Sequence, residues 1–186
     1  MIAPICILPD DPRWPRVLAK RLGKQSPPQL WVLGNLDLLQ ERKTALFCSA
    51  RCPGDAILRA CDTARQWRDE KRCVISGFHS VVEKECLRIL LRGVQPIIIC
   101  PARSLENFRL PTDWKEPLAQ NRLLLLSCFP AKHNRVTAEL AARRNELVAA
   151  LADEALIIYA NPGGHIEQLS ALLSKWGIRV VGVVRG

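Results

Sequence analysis

Short apolar runs alternate with longer amphipathic stretches over most of this chain. The runs lie at 44–49, 72–76, 96–100, 122–127, 155–160 and 179–184. Such runs are typical of parallel strands buried on both faces. The intervening pattern predicts helices at 54–70, 80–92, 135–152 and 164–176, whereas 103–121 is looser, with a single helical turn. This alternation predicts an α/β fold: a doubly wound, mainly parallel sheet of about six strands with helices on both faces.

Residues 1–40 differ from the rest in being rich in proline and irregular in pattern. We expect a short helix in "WPRVLAKRL", a strand within 29–35 and one helical turn in "LDLLQ". We therefore divide the chain into a lead-in, residues 1–40, packed on a domain of residues 41–186. Neither a membrane-spanning run nor a signal peptide is evident, so we expect a cytoplasmic protein without a membrane partner.

Charge points to an anionic partner, since the formal net charge is +9 and the calculated pI is about 9.5. A generic arginine-rich surface explains the same numbers. Most of the eight cysteines lie in apolar segments and are expected to be buried, reduced thiols. Cys48 and Cys52 lack a second pair at zinc spacing, so we expect no metal and no cofactor.

In doubly wound sheets, ligands bind beyond the carboxyl ends of the strands. The first such segment, "CSARCPGD", offers the Ser49 hydroxyl, the Arg51 guanidinium and a close backbone approach at Gly54, at the start of a helix. Free amide groups and the positive dipole end of that helix suit a phosphate. An ordinary helix start explains Pro53 and Asp55 equally well, but it does not explain Arg51.

Two further strand ends carry related chemistry. In "SGFHS", Ser76 and Gly77 form a tight turn, and Phe78 and His79 follow. Glu83, on the next helix, is either a general base or an ordinary acid of the first turn. "NPGGH" contributes candidate phosphate-binding residues that also fit a plain turn between strand and helix: Gly163, Gly164 and His165.

The helical segment after residue 135 is basic. It contributes candidate nucleic-acid-binding residues, which a solvated basic helix face explains nearly as well: Arg135, Arg143, Arg144 and Asn145. No GxSxG or HExxH motif and no aspartate cluster is present, so we expect a binding protein rather than an enzyme.

These segments, in this order, resemble the DNA-processing protein A (DprA/Smf) family. "LFCSARCPGD" is similar to its Gly-Ser-Arg loop, "VISGFHSVVEKECL" to its Ser-Gly segment, and "ARRNELVAALADEALIIYA" to its Arg-Asn-Arg helix. The lead-in "DDPRWPRVL" and the final "NPGGHIEQLSALLSKWGIRVVGV" also match, so the resemblance spans about 12–184. The chain departs from the family pattern at Ser49, Val81 and Glu146, and we expect a short, divergent, single-domain relative.

The resemblance implies a bacterial protein with a Rossmann-like fold that binds single-stranded DNA or another phosphate-bearing ligand in DNA processing or uptake. It also implies a homodimer. The same superfamily includes the LOG-type nucleotide phosphoribohydrolases, which "PGGHIEQL" resembles. The alternative is therefore a nucleotide N-glycosidic hydrolase or small-nucleotide sensor in which Glu83 or Glu167 supplies the carboxylate. A degenerate relative that acts as a partner-binding scaffold is a third hypothesis.

Overall fold

A single sheet of eight strands organises the chain in the computed structural model, which describes residues 3–185 and side chains up to Gly182. The strand order is β1-β2-β6-β5-β4-β3-β7-β8. The strands are β1 (Ile5–Ile7), β2 (Leu30–Gly34), β3 (Lys43–Phe47), β4 (Cys73–Ser76), β5 (Ile97–Ile99), β6 (Leu123–Ser127), β7 (Glu154–Ala160) and β8 (Arg179–Arg185).

The predicted parallel sheet is confirmed, because β3–β8 pair in parallel and correspond to the six apolar runs. The strand count differs from the prediction of about six. The lead-in adds two strands to the same sheet: β1 pairs antiparallel with β2, and β2 pairs antiparallel with β6. The boundary drawn between residues 40 and 41 stays a prediction.

The helices lie on both faces of the sheet, as predicted. They are α1 (Val17–Leu22), α2 (Gly54–Asp69), α3 (Val81–Leu91), α4 (Thr112–Ala119), α5 (Ala138–Leu151) and α6 (His165–Lys175). The segment 103–121 contains more helix than the single turn expected, because α4 runs for 8 residues in spite of Pro117. No helix among residues 3–185 combines the length and the apolar character needed to cross a bilayer.

Alternation of side chains along the strands divides the core into two layers. Ala45 and Phe47 face one layer with α1, α5 and α6, whereas Leu46 between them faces the other with α2, α3 and α4. Helix α1 of the lead-in belongs to the first layer: Leu18 is fully buried, and Arg21 Nη1 donates to the carbonyl oxygens of Ala150 at 2.9 Å and Ala152 at 2.6 Å.

The connection from β6 to β7 creates a switch point in the strand order, and this switch point positions a candidate site. From β3 the chain moves outward through β4, β5 and β6 on one side, and it then returns to place β7 on the other side of β3. The loops after β3 and β7 therefore diverge to opposite faces of the sheet. The crevice that such a switch point leaves at the carboxyl edge is the usual ligand site of open α/β sheets.

Candidate nucleic-acid interface

The loops after β3 and β7 are joined at the switch point. Ser49 N donates to the Tyr159 carbonyl oxygen at 3.0 Å, and Asn161 N donates to Ser49 Oγ at 3.0 Å. Ser49 is buried, so its hydroxyl holds the two loops together rather than lying open to a ligand. The segment that continues to Arg51 and Gly54 therefore starts next to the start of the Gly163–Gly164 turn.

Glu83 ties the loop after β4 to the same centre. Its Oε1 accepts from Cys48 N at 3.1 Å, and its Oε2 accepts from the amide groups of His79 at 2.8 Å and Ser80 at 2.9 Å. Its side chain is buried and part of a reciprocal capping box with Ser80. Both carboxylate oxygens are thus occupied, which fits a structural anchor and gives no support to a general base at Glu83.

Ser76 and Phe78 shape the loop between β4 and α3. Ser76 Oγ donates to the Leu46 carbonyl oxygen at 2.8 Å and accepts from Phe78 N at 3.2 Å. Phe78 has a positive φ of 47° and is buried in the α2–α3 layer, an uncommon backbone state for an aromatic residue. His79 is consequently turned to the surface and is exposed at the carboxyl edge.

Arg144 lies beneath this edge and does not reach the surface. It is 3% exposed, its Nη1 donates to the Cys100 carbonyl oxygen at 3.0 Å, and its Nε donates to Asn145 Oδ1 at 2.8 Å. The guanidinium lies against Gly77, where an added Cβ would be only 1.4 Å from Nη1. Burial lowers the pKa of Arg144, while the charge of Glu83 opposes that shift.

Two helices begin at the switch point without a side-chain cap. The residue preceding α2 is Pro53 and that preceding α6 is Gly164, and neither offers a side-chain acceptor to the first turn. In contrast, Ser80 caps α3 and Thr137 caps α5. The first amide groups of α2 and α6 therefore remain available for an anion.

The predicted basic residues separate into exposed and buried positions. Arg51, Arg135 and Arg143 are exposed, and none of them forms an ion pair within the described part of the chain. Arg143 and the exposed His165 line a pocket of about 540 Å³ between the start of α5 and the start of α6. Glu139 and Glu146 line the same pocket, so the cationic character of this face is mixed.

Cysteine chemistry plays no visible part at this edge. Cys128 lines the pocket with Arg143, but burial raises the pKa of its thiol to about 11, and burial also raises the pKa of Cys48. Both therefore remain protonated at neutral pH.

Glu167 accepts a hydrogen bond from Gly163 N through Oε2 at 2.7 Å and thereby fixes the glycine turn. Among the described residues, no three His, Cys, Asp or Glu side chains converge into a metal-binding group.

Sequence comparison decides the family. The profile of the family described as DNA recombination-mediator protein A matches residues 5–174. The chain belongs to this family. The resemblance drawn from the order of the motifs is therefore confirmed. Comparison with curated proteins gives no match for the chain.

Solved DprA structures share the fold. DNA processing protein A from Helicobacter pylori, described with a single-stranded DNA binding mode, superposes with a TM-score of 0.72 at 23% identity, over 90% of this chain and 76% of that one. The Streptococcus pneumoniae DprA structure has a TM-score of 0.65 at 19% identity, over 95% and 70% of the two chains. The molybdenum cofactor carrier protein of Chlamydomonas reinhardtii, with a TM-score of 0.53 and 14% identity over 77% and 79%, is a more distant neighbour.

Two features of this DprA family member were not predicted from its sequence. The first is that the amide of Cys48 joins the anchor at Glu83, a contact between positions 35 residues apart. The second is an aromatic pair between the loop after β5 and the first turn of α4, in which the rings of Phe108 and Trp114 lie 6.2 Å apart between centroids. Tryptophan within "TDWKEPL" was the available signal, since an aromatic residue among charged ones rarely lies fully in a core.

Proposed function

We propose that this DprA family member binds single-stranded DNA along the carboxyl edge of its sheet and acts in DNA processing. The observation that carries the proposal is the convergence of two uncapped helix starts, at Gly54 and His165, on the switch point where the exposed Arg51 lies. Backbone amide groups and a free guanidinium together bind phosphate without reading a base.

Charge supports a backbone-directed mode of binding. The net charge is +9, and the exposed cations Arg51, Arg135 and Arg143 have no carboxylate partner within the described residues. Arg144 contributes from below, because its buried guanidinium braces Gly77 and the end of β5. We assign Arg144 and Glu83 to the support of the edge and Arg51 to direct contact with phosphate.

Membership of the family also supports binding of single-stranded DNA. The Helicobacter pylori relative is described by its single-stranded DNA binding mode. We extend that ligand to this chain on the strength of the exposed arginine and the helix starts. A homodimer, which the family resemblance implies, and a cytoplasmic location, which the sequence pattern predicts, remain expectations. Light scattering on the purified protein would test the first of them.

Fluorescence anisotropy of a labelled 30-mer single strand tests the proposal. Wild type should bind with micromolar or tighter affinity at about 50 mM salt and much more weakly at about 200 mM, because counterions are released from the strand. Arg51→Ala should weaken binding and reduce the slope of log K against log salt by about 0.7, the value for one phosphate on a single strand.

The matched control removes the same charge from the opposite edge. Arg42 precedes β3 at its amino end and is strongly exposed, and it lies 3.8 Å from Glu154. Arg42→Ala should bind almost as wild type does, and a duplex of equal length should bind more weakly than the single strand. Equal losses for the two arginine variants would place binding outside the switch point, and no binding of wild type at low salt would overturn the proposal.

A further inference from the structure

The loop between β5 and α4 carries a pocket that the phosphate-directed site does not use. Residues 100–111 leave the carboxyl end of β5 and run beside the loop after β6. Ser127 Oγ donates to the Arg103 carbonyl oxygen at 2.7 Å, and Ser104 N donates to the His133 carbonyl oxygen at 2.8 Å. These contacts fix the loop at the same edge of the sheet as the switch point.

The Phe108 ring of this loop stacks on the ring of Trp114, which lies in the first turn of α4. Phe108 and Trp114 lie 6.2 Å apart between ring centroids with an angle of 18° between their planes, and both side chains are half-buried. Arg103 places its guanidinium carbon 5.5 Å from the centre of the Phe108 ring. A partly exposed aromatic stack of this kind is a platform on which single-stranded nucleic acids can stack a base.

The pocket beside the rings has the size and the charge for a base with its phosphate. It holds about 550 Å³, and apolar side chains of Leu33, Leu110 and Leu118 line it. Arg109 and Lys115 are also in its lining, which includes no carboxylate among the described residues. An apolar wall with cations at the rim suits an unstacked base whose phosphates remain in solvent.

Distance along the edge connects the pocket with the switch point. In the sheet order, β5 lies two positions from β3, which corresponds to about 10 Å, and β2, which carries the pocket wall at Leu33, lies four positions from β3, or about 19 Å. A strand whose phosphates lie at Arg51 can therefore reach the loop after β5 within a few nucleotides. Between the two points the edge presents the exposed His79.

We propose that the pocket lined by Phe108 binds one unstacked base of a single strand that follows the carboxyl edge of the sheet. The assignment rests on the proposed function, to which it adds a contact with a base. Phosphate contact at Arg51 depends only on the backbone, whereas stacking at Phe108 depends on the presence of a base. The two contributions are therefore separable by experiment.

Two labelled 30-mers distinguish the phosphate contact from the base contact: oligothymidylate and an abasic strand with the same backbone. Phe108→Leu should weaken binding of oligothymidylate by about tenfold, the size of one lost base–aromatic stack, and leave the abasic strand unchanged. Phe108→Tyr retains a ring and should bind both strands as wild type does. Arg51→Ala should weaken both strands.

The control is a half-buried aromatic residue on the other layer of the core. Trp176 packs against the layer of α1, α5 and α6 at the far end of α6, and Trp176→Leu should change neither affinity. If Phe108→Leu binds oligothymidylate as tightly as wild type, or loses equal affinity for both strands, the pocket is not a base site. That result would leave the phosphate site at Arg51 intact, whereas failure of wild type to bind either strand would remove both proposals.

Tryptophan emission reports binding of a base near Trp114 and requires no substitution that leaves a cavity. Oligothymidylate should quench part of the tryptophan emission of wild type. Trp114→Phe keeps an aromatic ring, so its affinity should stay within about twofold of wild type, but this part of the quenching should be absent. Quenching that is the same in wild type and Trp114→Phe would overturn the assignment. Displacement of the strand by micromolar thymidine monophosphate would also overturn it, in favour of a free nucleotide as the ligand.

Discussion

Glu83 joins two loops of the candidate site through three backbone amide groups. Oε2 accepts from His79 and Ser80, and Oε1 accepts from Cys48. An amide side chain at this position offers only one oxygen, so Glu83→Gln leaves an NH₂ group facing at least one backbone N–H. A buried donor without an acceptor costs about 1–3 kcal/mol, and hydrogen bonds to a charged group are the stronger kind.

We therefore expect Glu83→Gln to lower the free energy of unfolding by about 2–3 kcal/mol, measured by urea denaturation. Glu85→Gln is the matched control, because Glu85 lies on the same helix, is only half-buried and forms a surface ion pair with Arg88. The control should change stability by less than about 0.5 kcal/mol. Equal losses of unfolding free energy in the two variants would show that the hydrogen bonds of Glu83 do not stabilise the fold more than a surface ion pair does.

From the sequence, Glu83 is either a general base or an ordinary acid of the first turn of a helix. The capping box was readable, since Ser80 and Glu83 stand three positions apart before an apolar run. The bond to Cys48 was not readable, because it depends on how the loops after β3 and β4 meet in the sheet. Arg143 and Arg144 illustrate the same limit: neighbours on a helix point about 100° apart, and only packing decides which is buried.

At the scale of elements, the contrast between α2 and α3 matters most for function. The capping box closes the first turn of α3, whereas α2 begins after Pro53 with no side-chain cap. The glycines at these starts also differ. A Cβ added at Gly54 meets no atom within 4 Å, whereas one added at Gly77 would overlap the Arg144 guanidinium.

Gly54→Ala should therefore raise the free energy of unfolding by about 0.4–1 kcal/mol, because alanine restricts the unfolded chain without strain. The same change should weaken binding of a single strand, because the added methyl group obstructs a phosphate at the open amide groups. Thermal unfolding and anisotropy measure the two effects. Gly77→Ala is the comparison and should be destabilised, and a Gly54→Ala variant with unchanged affinity would contradict a phosphate at the start of α2.

Elements with a long, regular pattern were predicted well, and so were the short helix α1 and the short strand β2, whereas β1 was not predicted. The apolar runs of β3–β8 identify parallel strands because both of their faces are covered. The strand at β2 was expected, but its antiparallel pairing with β6 is a long-range choice that no local pattern encodes. Pro117 concealed the full length of α4, since proline inside a helix usually ends it.

At the scale of the whole molecule, buried thiols make the free energy of unfolding fall at alkaline pH. Burial raises the pKa of Cys73, Cys86 and Cys100 to about 12 and that of Cys128 to about 11. Burial raises the pKa of Cys48 in the same direction. These five side chains belong to both core layers, so the effect is distributed over the entire sheet.

The unfolded chain loses the protons of these thiols near the ordinary cysteine pKa of 9.0, whereas the folded chain keeps them to higher pH. Between about pH 9 and 11 the folded state therefore binds more protons, so the free energy of unfolding falls as pH rises. Urea denaturation under reducing conditions should give a value unaffected by these groups below about pH 8 and a steady decline above pH 9. Cys100→Ala should start from lower stability because of its cavity, yet show a shallower decline, since one buried thiol is gone. An identical alkaline slope in Cys100→Ala and wild type would mean that the buried thiols do not control the decline, because lysine and tyrosine ionisation is common to both proteins.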